Sequence, residues 1–445
     1  MFKKDFILGA AAASYQIEGA AFEDGKGLSI WDVFSHTPGK IRNGDNGDVA
    51  CDHYHRLEED VKIMKELGLK AYRFSFSWPR ILPNGTGEVN PKGIEFYNKL
   101  IDCLLENGIE PFATLYHWDL PYELYKKGGW LNPECADWFA EYARVVAENF
   151  GDRLKNYMTF NEPACTVTLG YYEGVHAPGL KLPNDEILMM SHNILISHGR
   201  AVRELRKAVE GAKVGIVINF GPQIPASKEA EARLHEKYMN YDHTNYHWQG
   251  NFWWEPLFNG KYHPDIDKYI KEKNLPMTEG FDIITEPMDF MGMNIYSGHY
   301  FDIDENGNFY ELDHKPGEVT THIGWYMTYP ALYWGIKEVT EQYNIPVYIT
   351  ENGLSCSDMV FSDGKVHDPQ RIEFTKGYLE GVERAYAEGM PIKGYFHWSV
   401  MDNFEWALGY NERFGMVYVD MQTGKRTIKD SGYWYKEYIE THIEK

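Results

Sequence analysis

Two glutamates sit in short signatures at the ends of apolar runs. Glu162 lies in Thr159-Phe160-Asn161-Glu162-Pro163 and Glu351 in Ile349-Thr350-Glu351-Asn352-Gly353. Each reads as a β-strand that delivers an asparagine and a glutamate side by side and is then ended by proline or glycine. Paired carboxyls of this kind suit one chemistry above others: one exchanges a proton with a departing oxygen, and the other attacks or stabilises a cationic carbon. For direct attack the two carboxyl groups must lie about 5–5.5 Å apart.

Residues far apart in the chain meet this way when they occupy the carboxyl ends of strands in a parallel barrel. Short β-rich runs alternate with longer amphipathic stretches along the whole chain. Strands are expected at 6–15, 71–77, 110–117, 156–161, 213–220, 289–296, 347–351 and 392–398, with helices at 54–67, 93–106, 133–149, 189–209, 331–342 and 369–387. Leu57, Val61, Met64 and Leu67 illustrate the helical spacing. Pro91, Pro133 and Pro369 mark helix starts, and Gly68, Gly108 and Gly151 mark helix ends. This α/β pattern predicts a single (β/α)8 TIM barrel over residues 1–445, with long irregular loops at 35–48, 173–185, 251–286 and 297–323 decorating the catalytic face.

Nearly every strand ends in groups that hydrogen-bond or stack. Gln16 follows the first strand, Arg73 lies in the second, and His117 and Trp118 end the third. Asn161 and Glu162 end the fourth, Asn294 and Tyr296 the sixth, and Glu351 and Asn352 the seventh. Trp398 ends the eighth, with Asp402, Asn403, Glu405 and Trp406 just beyond. Bidentate polar groups mixed with indole faces are what a sugar requires: paired partners for its hydroxyls and a flat apolar surface for its C–H face.

Composition narrows the classes further. The formal charge of −22 argues against nucleic acid as a partner. Five cysteines without a paired spacing read as reduced thiols of a cytoplasmic protein rather than a disulfide framework. No run is long and apolar enough to span a bilayer. Lys3-Lys4 followed by an apolar stretch superficially resembles a signal peptide, but Asp5 interrupts it, and a small-residue-rich first strand is the preferred reading. Asp52-His53-Tyr54-His55 has the look of a helix start rather than a metal site. The stretch from Asp302 to Gly307 imitates a calcium loop, but reads better as a hairpin turning at Asn306-Gly307. No glycine-rich phosphate cradle follows a strand, so neither a cofactor nor a metal is expected. Oligomeric state is not legible.

The ordered set of motifs resembles glycoside hydrolase family 1, the retaining β-glucosidase family, over essentially the whole chain. Besides the two glutamate signatures it includes Ala13-Ser14-Tyr15-Gln16-Ile17-Glu18-Gly19, Arg73-Phe74-Ser75-Phe76-Ser77-Trp78-Pro79-Arg80, His117-Trp118-Asp119-Leu120-Pro121 and Asn403-Phe404-Glu405-Trp406. The resemblance implies that Glu162 is the acid/base and Glu351 the nucleophile. It also implies that Gln16, His117, Trp118, Asn161, Glu405 and Trp406 hold the non-reducing sugar, and that Trp398 lies beneath it. Tyr296 and Arg73 orient the nucleophile, supported by Asn294, and Trp325 forms a wall for the leaving group. The implied substrate is a small β-glucoside or oligosaccharide, with β-galactosides and β-fucosides as side substrates. Phospho-sugar relatives carry a small hydroxyl residue where this chain has Glu405, and a carboxylate there would repel a 6-phosphate. A non-catalytic sugar-binding relative would usually have lost one glutamate, and here both remain. One departure is Ala164, where many bacterial members have tryptophan after Asn-Glu-Pro, so a flat wall of the leaving-group site is expected to be absent.

Overall fold

The computed structural model describes residues 1–238 and 246–444. Eight strands close into a parallel barrel: β1 Ile7–Ala11, β2 Ala71–Ser75, β3 Glu110–Tyr116, β4 Asn156–Asn161, β5 Lys213–Asn219, β6 Phe290–Asn294, β7 Val347–Asn352 and β8 Ile392–Trp398. Each strand pairs with its sequence neighbours, and β1 closes the ring by pairing with both β2 and β8. Because helices cover the outside and side chains fill the bore, nearly every strand residue is buried. Continuous apolar runs, rather than alternation, are the sequence consequence.

A helix follows each strand: α1 His53–Glu66, α2 Pro91–Glu106, α3 Cys135–Phe150, α4 Asn184–Ala208, α5 Gly250–Asn259, α6 Ala331–Tyr343, α7 Pro369–Ala387 and α8 Asp430–His442. Local chemistry sets their limits. In α2, Asn90 accepts a hydrogen bond from the Lys92 backbone N–H and Pro91 occupies the first turn, so the cap and the fixed φ agree on where the helix begins. Leu57, Val61 and Met64 form the buried stripe of α1, as their spacing requires.

Two expectations need correction. The first strand ends at Ala11, not at residue 15, because Ser14–Ile17 winds into a helical turn that swings Gln16 over the barrel mouth. The segment 251–286 is not irregular: it carries α5, a second helix Pro264–Lys273 and a short turn of helix Phe281–Ile284. Pro256 inside α5 hides this in the sequence, since proline ordinarily ends a helix; here Phe252, Trp253, Trp254 and Leu257 are all buried, and their packing outweighs the lost hydrogen bond. The hairpin expected to turn at Asn306-Gly307 is present, with Ile303 opposite Phe309. Asp304 Oδ1 accepts the backbone N–H groups of Asn306 and Asn308, which fixes the loop. No cluster of three or more potential metal ligands occurs among the described residues. No helix among them is long and apolar enough to cross a membrane.

The segment after β8 is anchored by a buried ion network. Lys429 Nζ donates to Asp402 Oδ1 at 2.6 Å and to Asp358 Oδ2 at 2.5 Å. Arg413 donates to the other Asp402 oxygen at 2.6 Å, and Arg371 bridges Asp358 and Asp368. The chain ends meet too: Phe2 N–H donates to the His442 carbonyl at 2.8 Å and Glu444 N–H to the Phe2 carbonyl at 2.9 Å. Close approach at the mouth depends on Gly353, where a Cβ would stand 1.8 Å from the Trp398 carbonyl oxygen.

Because Lys429 is fully buried between two carboxylates, Lys429→Met should leave two buried carboxylates with one cation fewer each and cost about 3–5 kcal/mol. A lowered thermal unfolding midpoint measures this; an unchanged midpoint contradicts the role assigned to the network.

Candidate active site

Arg73 stands in the bore and links two strand ends. Its Nη1 donates to Glu351 Oε1 at 2.6 Å and its Nη2 to Asn161 Oδ1 at 2.7 Å. Tyr296 OH donates to the other Glu351 oxygen at 2.8 Å. Both Glu351 oxygens are therefore held, and the carboxyl cannot rotate freely. Across from it, Asn294 Nδ2 donates to Glu162 Oε1 at 2.6 Å and to Asn161 Oδ1 at 3.0 Å, while its Oδ1 accepts from Thr350 at 2.7 Å. Asn294 also lies near enough to Glu351 to favour its charged form, so one amide acts on both carboxyls.

Glu162 has a left-handed backbone, with φ +48°, as do Trp118 at +75° and Trp406 at +47°. Such conformations cost non-glycine residues about 1–3 kcal/mol each and persist only where the surroundings impose them. Here the Glu162 N–H is held by the Val217 carbonyl at 3.0 Å, and Pro163 starts the next helical turn. The result aims the Glu162 side chain across the mouth instead of along the strand.

Burial and the Glu351 charge push the Glu162 pKa up to about 7. Glu351 is also raised by burial, but the Arg73 charge and hydrogen bonds from Arg73, Tyr296 and Asn294 pull it back. Glu351 thus gives up its proton first, and the field of its charge keeps the proton on Glu162. The pair contains an ionised carboxylate and a protonated carboxylic acid in the same pH range.

The remaining predicted residues gather on the other side of Glu351. His117, made neutral by burial and by Arg73, accepts from Asn161 Nδ2 at 3.1 Å. Gln16 Nε2 is committed to Asn403 Oδ1 and the Phe404 carbonyl, at 3.0 and 2.9 Å, which leaves its Oε1 buried and without a partner. Glu405 Oε2 is likewise buried and unpartnered. Burial and the neighbouring carboxyls Glu351, Glu412 and Glu162 push Glu405 up to about 8. Unsatisfied acceptors in a small chamber are costly unless a ligand supplies donors. The Trp398 ring lies parallel to His117, with centroids 5.9 Å apart. Trp118 stands behind this layer: its Nε1 donates to the Asn161 carbonyl at 3.0 Å and its ring packs against Trp406 with centroids 4.6 Å apart, so its polar group is spent on structure. Trp325 is partly exposed at the rim, 5.0 Å from the Tyr296 ring centroid.

Some lining residues were missed in the sequence. The cavity leading outward from Glu162 is lined by Asn219, Cys165, Leu169, Gln223 and Trp248. Asn219 had a readable signal: it ends β5 as Asn161 ends β4 and Asn294 ends β6. Trp248 had none, since its position depends on the loop between β5 and α5.

A closed (β/α)8 barrel with paired carboxyls and orphaned acceptors at its carboxyl end defines a barrel of the sugar-handling kind. The comparisons narrow this. The profile of glycosyl hydrolase family 1 matches residues 1–444, and the chain belongs to that family. Beta-glucosidase A of Thermotoga maritima is 49% identical over 450 residues, covering 99% of this chain and 98% of the relative. A bifunctional beta-D-glucosidase/beta-D-fucosidase of Bifidobacterium breve is 40% identical, covering 99% of each chain. The solved beta-glucosidase from Thermotoga maritima in complex with glucoimidazole superposes with a TM-score of 0.90 at 48% identity, covering 100% of this chain and 99% of that one.

Removing a cation that favours the charged form of Glu351 must raise its pKa. Arg73→Met is therefore expected to move the acid limb of kcat/KM to higher pH by about 1–3 units. An acid limb that stays in place in the pH–rate profile contradicts the pairing.

Proposed function

We propose that the whole chain, residues 1–445, is one catalytic unit that removes terminal non-reducing β-D-glucosyl residues from cellobiose and aryl β-glucosides with retention of configuration. The observation that carries this is the Glu162–Asn294–Glu351 arrangement: an acid that keeps its proton near neutrality faces a carboxylate fixed by Arg73 and Tyr296. Glu351 attacks the anomeric carbon as the C–O bond to the leaving group breaks, and Glu162 gives its proton to that oxygen. Esterification of Glu351 removes its charge, so the Glu162 pKa falls and the ionised group then takes a proton from water. That water displaces Glu351 and releases glucose in the β form. A carboxyl separation of about 5–5.5 Å belongs to this double displacement.

The glucosyl ring lies between Glu351 and Trp398, its hydroxyls answering the orphaned Gln16 and Glu405 oxygens and the His117 ring. Specificity against a 6-phosphate rests less on the charge of Glu405 than was expected, because Glu405 itself is pushed up to about 8. Glu351 and Glu412, which crowd it, supply the negative field instead. Named activity on β-fucosides in the Bifidobacterium relative supports the same side activity here. The five cysteines are unpaired, in keeping with a reducing cytoplasmic setting and a role in cellulose-derived sugar breakdown.

Release of nitrophenol from nitrophenyl β-glucoside, with β-glucose as the first product seen by NMR, is expected; α-glucose would overturn retention. Glu351→Gly should abolish turnover and regain it with azide, yielding the α-glucosyl azide, and failure of azide argues against Glu351 as the nucleophile. Since Glu162 must be protonated for the first step, kcat/KM should fall as pH rises through about 7. Glu162→Gln should remove that alkaline limb, and a limb retained in the variant assigns it to another group.

A further inference from the structure

Tyr296 donates to one Glu351 oxygen, yet it lies two residues beyond the end of β6. Contacts from outside that strand must therefore aim its ring. The backbone is held first at Ile295. Its N–H donates to the Glu351 carbonyl at 3.1 Å, and its carbonyl accepts from Asn352 Nδ2 at 2.8 Å. The Tyr296 carbonyl is answered by a different part of the molecule: it accepts the hydroxyl of Tyr378, on α7, at 2.7 Å.

Tyr378 is fully buried and has no exposed surface from which to touch a substrate. It shares the buried face of its helix with Phe374, Leu379 and Val382, and its ring stacks on Phe374 with centroids 4.2 Å apart. A phenylalanine would satisfy that packing equally well. Burying a hydroxyl is costly unless it is bonded, so the oxygen needs its own reason. It has two partners, both backbone groups. Besides donating to the Tyr296 carbonyl, it accepts the Thr328 N–H at 2.8 Å.

Thr328 stands at the foot of the hairpin that carries Trp325. In that hairpin Thr320 pairs with Tyr326, Thr321 N–H donates to the Trp325 carbonyl at 2.8 Å, and Met327 N–H donates to the Val319 carbonyl at 3.2 Å. The Thr328 carbonyl then accepts the Ala331 N–H at 2.9 Å, where α6 begins. The Trp325 ring packs on the Tyr296 ring with centroids 5.0 Å apart, and both lie against Phe414, at 6.1 and 6.3 Å. One phenol oxygen thus joins, through their backbones, two segments whose side chains also meet.

We propose that Tyr378 is a positioning residue for the nucleophile: it acts through Tyr296, which it holds against Glu351 while fixing the foot of the Trp325 hairpin. This rests on the glucosidase reading and adds to it a residue outside the cleft that governs Glu351. The sign of its effect follows from the hydrogen bond. The Tyr296 hydroxyl donates to the ionised carboxylate and favours its charged form. Loosening Tyr296 weakens that bond, so Glu351 keeps its proton to higher pH.

The test is a double-mutant cycle on nitrophenyl β-glucoside with the wild type, Tyr378→Phe, Tyr296→Phe and the double variant. Tyr378→Phe should lower kcat/KM about threefold to tenfold. It should also move the acid limb of the pH–rate profile upward, by less than Tyr296→Phe does. The double variant should show the limb of Tyr296→Phe alone, since Tyr378 then has no hydroxyl left to aim. An acid limb unmoved in Tyr378→Phe, whatever its thermal midpoint, makes the phenol a purely structural group and overturns the proposal. Shifts that add in the double variant overturn it too. If Tyr378→Phe does not fold, amide hydrogen exchange on the wild type decides: a protected Thr328 N–H supports the contact, and a rapidly exchanging one overturns it. A wild type inactive on nitrophenyl β-glucoside would instead defeat the underlying activity, so the two failures are distinguishable.

Discussion

Arg73 is the constraint on which the mouth of the barrel depends. A guanidinium buried in the bore would be untenable alone, and its Nη groups are answered by Glu351 and Asn161, from strands on opposite sides of it. Its planar fork fixes the distance and orientation of both partners at once. Asn161 in turn positions Asn294 and His117, and Asn294 reaches Glu162. The chain of contacts from one cation therefore positions both carboxyls, while burial and their mutual repulsion separate their protonation. Lysine could supply the charge but not the two-pronged geometry.

Around this centre the fold accepts local cost. Left-handed backbones at Trp118, Glu162 and Trp406, and unpartnered oxygens on Gln16 and Glu405, cluster within the same mouth. The stabilising reserve comes from elsewhere: the closed ring of parallel strands, the apolar shell beneath the helices, and the buried Lys429 network that ties the segment after β8 to the C-terminal helix. A site that keeps its hydrogen-bonding capacity unspent must be held by parts that have spent theirs.

The strands that carry the two glutamates were legible because both of their constraints are local. Each is a short apolar run stopped by proline or glycine; β4 coincides with the expected span and β7 runs one residue beyond it. The barrel followed from the alternation of periods. What the sequence did not reveal depends on distant packing. Gln16 was placed on the first strand's continuation, yet its reach comes from a helical turn that only the barrel mouth stabilises. The helices between β5 and β6 were hidden by Pro256, whose local penalty is overruled by four buried apolar side chains. Trp118 has the residue type of a sugar platform, but its indole N–H serves the Asn161 backbone. Glu405 was read as a charge, and only its surroundings reveal how strongly burial favours its proton.

The meeting of Phe2 with the strand of chain after α8 has a practical corollary. Both ends of the polypeptide emerge side by side at the pole where the strands begin, away from the pole where they deliver their side chains. A module fused to either end, or a tether to a solid support, would leave the opening facing outward and unobstructed. The same adjacency makes the polypeptide suited to having its ends joined by a short linker and reopened at another surface loop, with the order of the staves unchanged.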